Sequence, residues 1–404
     1  MIERTLYALA FSSQWGRQMR FIIGPRQSGK TTLAKAKLTA EHASNLYYLW
    51  DLRTVRNRYK ENELFFTQDS PPTQKKQWVC FDEIHKIPKW KNTLKAIFDA
   101  SSEHYQFVVT GSSKMDIFRK AGDALSGRYF TFHLFPLSFA ELVNPNAVIP
   151  YGSLSAAEFV QTKLSRTKAA PSDLSDLLEF GGFPEPFVKQ SKTFLAKWSR
   201  DYTDTVIKED IGALTRIIDR EHLYDLYNLL PEMTGSPISE SSLAAHLSLS
   251  PPTIKQYLKR LEDFYLAFKV HPYFQNIKRA LVKAPKCYLY DWTKSRDEAK
   301  RFENFVAVEL MTQLSLWSEA SADSFRLFYI RTKQKEETDF LIVKNQKPWL
   351  LMEAKLADSP PAGHHHKIQA MLGALPFVQI CRQEGVAKMT AKSSYSISAS
   401  RFLA

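Results

Sequence analysis

Short apolar runs alternate with segments of helical spacing through the first third of the chain. "QMRFIIGPRQSGKTTLAKAKLTA" (18–40) predicts a strand, a tight glycine-containing loop and a helix. "NLYYLWDL" (45–52) predicts a second strand, and "KKQWVCFDEIHKIPKWKNTLKAIFDA" (75–100) a third that ends in a polar tip before another helix. "YQFVVTGSS" (105–113) is a fourth strand closing on small polar residues. Strands alternating with helices indicate a parallel sheet covered on both faces.

The pattern changes twice further on. From about 150 to 215 it is helical and interrupted by "FGGFPEPF" (180–187). Residues 222–290 read as three helices and a ribbon. Ser250, Pro251 and Pro252 start the last of these helices, because proline is tolerated in a first turn. "LAFKVHPYF" and "KCYLYDW" form the ribbon, in the position of a wing. Beyond residue 300 come a helix, three strands ("FRLFYIRT", "TDFLIVK", "PWLLMEAKL"), a helix ("KIQAMLGAL") and a strand ("FVQICR"), which is a small α/β domain. The expected organisation is 1–145, 146–220, 221–295 and 296–404.

Composition sharpens this picture in three ways. The net charge of +13 on 404 residues suits a polyanionic partner. Cys80, Cys287 and Cys381 are too far apart for a disulfide framework or a zinc pattern, so a reducing cytoplasm is expected. No run reaches the ~18 apolar residues of a membrane span, so no membrane partner is expected. The "HHH" at 364–366 reads as a solvated loop among prolines and glycines.

"GPRQSGKT" matches G-x-x-x-x-G-K-[ST] and follows an apolar strand. The loop comprises Gly24, Pro25, Arg26, Gln27, Ser28 and Gly29, and it leads into Lys30, Thr31 and Thr32. The two glycines let backbone N–H groups wrap phosphate oxygens at a helix N-terminus. Lys30 would reach the β- and γ-phosphates and Thr31 would hold Mg²⁺. Asp82 and Glu83 end a strand, where open α/β sheets bind ligands. Asp82 suits the Mg²⁺ shell, and Glu83 suits the orientation of attacking water. Ser112 or Ser113 would sense the γ-phosphate. Arg128 has two readings: an arginine finger serving a neighbouring subunit of a homo-oligomer, or a structural arginine. A nucleoside triphosphate and Mg²⁺ are therefore the expected cofactors.

These residues, with "VTGSSKMD", "LSGRYFTFHLFPLSFAEL", "FGGFPEP", "KEDI" and "ETDFLI…LMEAKL", give a chain that resembles prokaryotic AAA+-type ATPases with a C-terminal domain of unknown function. The resemblance implies an α/β P-loop NTPase sheet, a helical lid, a winged-helix domain and a restriction-endonuclease-like α/β domain. It implies that ATP is the nucleotide and that Lys30, Thr31, Asp82 and Glu83 are the ATPase residues.

Two further expectations concern nucleic acid. The expected recognition helix presents Thr253, Lys255, Gln256, Lys259 and Arg260, and the ribbon adds Lys278, Arg279, Lys283 and Lys286, a set suited to DNA phosphates. Asp339, then Glu353 and Lys355 two residues apart, with Glu303 upstream, follow the layout of restriction-endonuclease-type nucleases. Asp339 and Glu353 would hold a second Mg²⁺, with Lys355 and Glu303 in support. An internally satisfied Glu–Lys pair is the alternative. Three functions follow: an ATP-driven switch acting on DNA, a nucleotide-gated interaction module without DNA chemistry, or an ATP-regulated nuclease.

Overall fold

A computed structural model describes residues 2–111, 125–145, 153–165, 171–212, 220–274 and 284–404. The chain forms two compact units, Met1–Pro136 and Leu137–Ala404.

The first unit is built on five parallel strands: β1 (Met19–Ile23), β2 (Tyr47–Leu49), β3 (Gln77–Asp82), β4 (Tyr105–Thr110) and β5 (Tyr129–His133). Their order is β2-β3-β4-β1-β5. Every residue of β1 is buried, the continuous apolar signature of a strand covered on both faces. Phe81 and Phe107 stack across β3 and β4 with centroids 5.7 Å apart. Helix α1 (Lys30–Ala40) follows β1, and α2 (Trp90–Ser101) follows β3. α2 buries Trp90, Leu94, Ile97, Phe98 and Ser101, the i, i+4, i+7 stripe that alternation with polar residues predicts. Arg20 is the exception within β1. Its guanidinium is fully buried and donates to the carbonyls of Ala10 (2.9 Å) and Gly16 (3.1 Å), and burial lowers its pKa to about 10.

The second unit opens with helices, among them Ala156–Ser165, Pro171–Phe180 and Lys192–Asp204. Then come α3 (Arg220–Met233), α4 (Glu240–His246) and α5 (Pro251–Asp263). Ser250 caps α5 by accepting from the Thr253 N–H at 3.3 Å, with both prolines in the first turn, as the sequence predicts. The ribbon β6 (Ala267–Pro272) and β7 (Lys286–Leu289) does not stand apart as a wing. β6 pairs in parallel with β8 (Phe325–Arg331), so the ribbon continues the C-terminal sheet. That sheet runs β12-β13-β11-β10-β9-β8-β6-β7. β9 is Glu337–Lys344 and β10 Lys347–Lys355, and β11, β12 and β13 are Phe377–Cys381, Ala387–Ala391 and Ser394–Ser398. The long helix α6 (Glu298–Ala320) lies against β7, β8 and β10. The three histidines are not in a loop: they form the first turn of α7 (Gly363–Met371). Among the described residues no helix is long and apolar enough to cross a membrane.

One buried acid on α6 ties the start of this unit to its core. Glu309 is 1% exposed, and its Oε1 accepts the Phe139 N–H at 2.8 Å, at the start of a short helix boxed by Ser138 and Glu141. Its Oε2 has no hydrogen-bond partner among the described residues. Burial pushes the carboxyl up to about 8, so the folded protein holds a proton there that the unfolded chain releases near pH 4. The stabilisation is present in full below the ordinary carboxyl range and is lost as pH rises towards 8. Glu309→Gln keeps the acceptor and removes the titration. Its melting temperature relative to the parent should therefore rise between pH 5 and pH 8, by the equivalent of roughly 1 kcal/mol or more; a difference independent of pH would contradict the buried proton.

Candidate functional site

The phosphate loop begins where β1 ends. Gly24 has φ 148°, and a Cβ there would lie 2.2 Å from the Leu134 carbonyl oxygen, so only glycine fits. Gly29, at φ 97°, turns the chain into α1. Between them Ser28 is fully buried, and its hydroxyl donates to the Pro25 carbonyl at 2.9 Å. Arg4 holds the loop from outside, donating to the carbonyls of Ser28 (2.8 Å) and Phe135 (2.6 Å). Sequence reasoning missed Arg4 because it lies outside the motif. Arg26 and Gln27 are exposed at the loop's tip. The Lys30 ammonium folds back over the loop and donates to the carbonyls of Gly24 (3.1 Å) and Pro25.

Asp82 is the centre of the site. It is 3% exposed and accepts three hydroxyls: Thr31 Oγ1 at 2.8 Å and Tyr47 Oη at 2.5 Å on one oxygen, and Thr110 Oγ1 on the other. Parallel register explains the convergence, because Leu49, Asp82 and Thr110 are paired neighbours across β2, β3 and β4. Burial first, and then the hydrogen bond to Asp82, holds the Tyr47 hydroxyl well above its ordinary pKa. Glu83 follows in the left-handed conformation (φ 60°), with its N–H donating to the Thr110 carbonyl at 3.0 Å. Its carboxylate lies 3.5 Å from His85 Nε2 and 3.6 Å from Lys86 Nζ. Burial raises its pKa, and Lys86 opposes that shift. Lys86 also pairs with Asp51 at 2.5 Å.

The residues present fit a Mg²⁺–triphosphate. The Thr31 hydroxyl and Asp82 carboxylate are adjacent hard oxygen donors at the end of the glycine-bearing loop. Ser112 and Ser113 lie outside the described residues. Arg128 forms a two-pronged pair with Asp99 of its own chain (2.7 and 3.0 Å).

The C-terminal acids also come together, and with company the sequence did not reveal. The Asp339 N–H donates to Glu353 at 3.2 Å, the Ala354 N–H donates to Asp339 at 3.1 Å, and Lys355 pairs with Glu353 at 2.8 Å. Lys286, expected on a DNA-facing wing, is instead 1% exposed. Its ammonium touches Glu337 (2.7 Å), Asp339 (3.0 Å) and Glu303 (3.2 Å). Tyr288 donates to Glu303 at 2.7 Å. Burial, followed by the charge of Asp339, lifts both Glu303 and Glu353 to about 7. His365 is buried beside the cluster, with Nδ1 2.9 Å from the Thr338 hydroxyl and its ring stacked on Phe377. Burial lowers its pKa to about 4, so it is neutral at pH 7. Among the described residues no three His, Cys, Asp or Glu are arranged to hold a metal ion. Asp339 and Glu353, the expected metal ligands, each lie against a lysine: Asp339 against Lys286 and Glu353 against Lys355.

Comparison with known proteins places these features. Residues 16–143 match a family model described as an AAA domain, and residues 171–293 and 299–395 match two domains of unknown function (DUF8612 and DUF4143). An uncharacterised protein of Methanocaldococcus jannaschii is 24% identical over 82% of this chain and 73% of its own. One of Mycobacterium tuberculosis is 24% identical over 89% and 74%. Among solved structures, the Aeropyrum pernix Orc1 protein in complex with DNA aligns over 76% of this chain and 92% of its own, with 12% identity and a TM-score of 0.29. The Bacillus subtilis DNA clamp loader delta protein aligns over 78% and 98%, with 9% identity and a TM-score of 0.27. The phosphate loop and Asp82 thus lie in a segment similar to AAA domains, followed by two segments that match domains of unknown function.

Proposed function

We propose that the protein binds ATP with Mg²⁺, hydrolyses it, and uses the cycle to drive a change in its C-terminal unit while that unit engages DNA. The observation carrying the reading is the contact of Thr31 with Asp82 beside a loop that admits only glycine at position 24. Lys30 exchanges the carbonyls of Gly24 and Pro25 for β- and γ-phosphate oxygens, which replaces weak neutral acceptors with charged ones. Thr31 and Asp82 would hold Mg²⁺, which neutralises charge on the transferring phosphoryl group. Glu83 orients the attacking water and accepts its proton. A carboxylate with a raised pKa is a better base than an ordinary one near neutral pH.

The DNA part of the reading rests on the net charge of +13. A second reading, a nucleotide-gated interaction module, draws on specific contacts. On α5, Lys259 pairs with Asp263 at 2.7 Å, and Arg260 lies 3.5 Å from the same acid. Lys286 is buried among acids, and Lys278, Arg279 and Lys283 lie outside the described residues.

Lys30→Ala should lose ATP binding by calorimetry. Glu83→Gln should keep binding within about threefold while phosphate release falls by roughly a hundredfold or more. Parental turnover should decline as pH falls through the raised pKa of Glu83, and residual turnover in Glu83→Gln should lack that limb. Turnover of Glu83→Gln at the parental rate would remove the role given to Glu83. DNA retained at low salt and released steeply as salt rises supports the DNA reading; no retention at low salt leaves the interaction module.

A further inference from the structure

The acid cluster of the second unit poses a question that the nucleotide site does not answer. Glu303, Glu337, Asp339 and Glu353 bring four carboxylates together inside the fold, and each needs a counter-charge. Lys355 pairs with Glu353, and Arg331 lies 3.5 Å from Glu337. The central position, within 3.2 Å of three of the four acids, belongs to the Lys286 ammonium.

We propose that Lys286 is a resident counter-ion that takes the place of a divalent cation in this cluster and fastens β7 to β9 and α6, which carry the acids it touches. A hard cation would need carboxylate oxygens converging at about 2.0–2.6 Å. Here the oxygens face an ammonium instead, at 2.7 to 3.2 Å, the spacing of charge-assisted N–H···O bonds. Neighbouring elements hold the lysine in place. The Tyr329 ring lies 5.5 Å from the ammonium, and Pro237 bridges to Lys286 while the Ile238 N–H donates to the Pro285 carbonyl at 2.8 Å. At Gly235 (φ 76°) an added Cβ would meet Glu303 Oε2 at 2.6 Å, so the turn before α4 closes directly on that carboxylate. The lysine lies in the segment matched as one domain of unknown function, and the acids lie in the segment matched as the next. The lock therefore joins the two, and Asp339 of the acid-and-lysine motif, together with Glu303 and Glu337, serves as its receptacle.

The test measures Mn²⁺ binding to the full-length, nucleotide-free protein by electron paramagnetic resonance. The parent should show no Mn²⁺ binding that Asp339→Asn removes. Lys286→Met should bind Mn²⁺ roughly tenfold or more tightly than the parent, and Lys286→Met with Asp339→Asn should not. Parental binding abolished by Asp339→Asn would overturn the proposal, as would a folded Lys286→Met that gains none. Should Lys286→Met fail to fold, melting decides. Millimolar Mn²⁺ should leave the parental melting temperature unchanged, and a rise that Asp339→Asn removes would overturn the proposal.

Discussion

The first unit depends on one buried carboxylate. Asp82 sits at the tip of β3 and gathers hydroxyls from α1, β2 and β4. Three donors on one carboxylate offset the cost of burying its charge. They also set the relative positions of the loop-bearing helix and three strand ends. Parallel register makes this geometry available, because it brings strand tips that are distant in sequence to the same height. The same atoms are what a magnesium-bound triphosphate would require, so in this unit stability and proposed function draw on a common contact.

The second unit solves a related problem with the opposite charge. Asp339 and Glu353 are buried, Glu303 and Glu337 are half-buried, and a buried lysine lies against three of the four. Removing one partner from such a cluster leaves the others uncompensated in a poorly solvating interior, so the group resists piecemeal change. This also changes how the chain's basic composition is read. Lys286 contributes to the net charge but not to the surface, and Lys259 and Arg260 share an acid on their own helix.

Legibility in the sequence followed the distance over which each feature is encoded. The phosphate loop is contiguous, so Gly24, Gly29, Lys30 and Thr31 could be read from spacing alone, and the strand ending in Asp82 stood out by its polar tip. Tyr47, Thr110 and Arg4 could not be recognised in the same way, since their roles arise from register and from a remote N-terminal arginine. The meeting of Glu303, Asp339 and Glu353 was legible in outline, but the identity of their cation was not. Lys286 lies in an alternating ribbon that locally resembles a wing, and only the parallel pairing of β6 with β8 reveals its inward placement. His364, His365 and His366 follow prolines and a glycine, which argued for a loop. The chain instead starts a helix there, and His365 packs on Phe377.

That the Thr31 hydroxyl and the Asp82 carboxylate form the metal end of a triphosphate site is the proposal on which the rest depends. It is tested most directly by titrating a non-hydrolysable ATP analogue calorimetrically, with and without Mg²⁺, into the parent and into Thr31→Val, which keeps side-chain shape and loses the hydroxyl. Mg²⁺ should tighten parental binding by about tenfold or more, and Thr31→Val should keep the metal-free affinity while losing that gain. Parental binding indifferent to Mg²⁺, or a full gain retained without the hydroxyl, would contradict it.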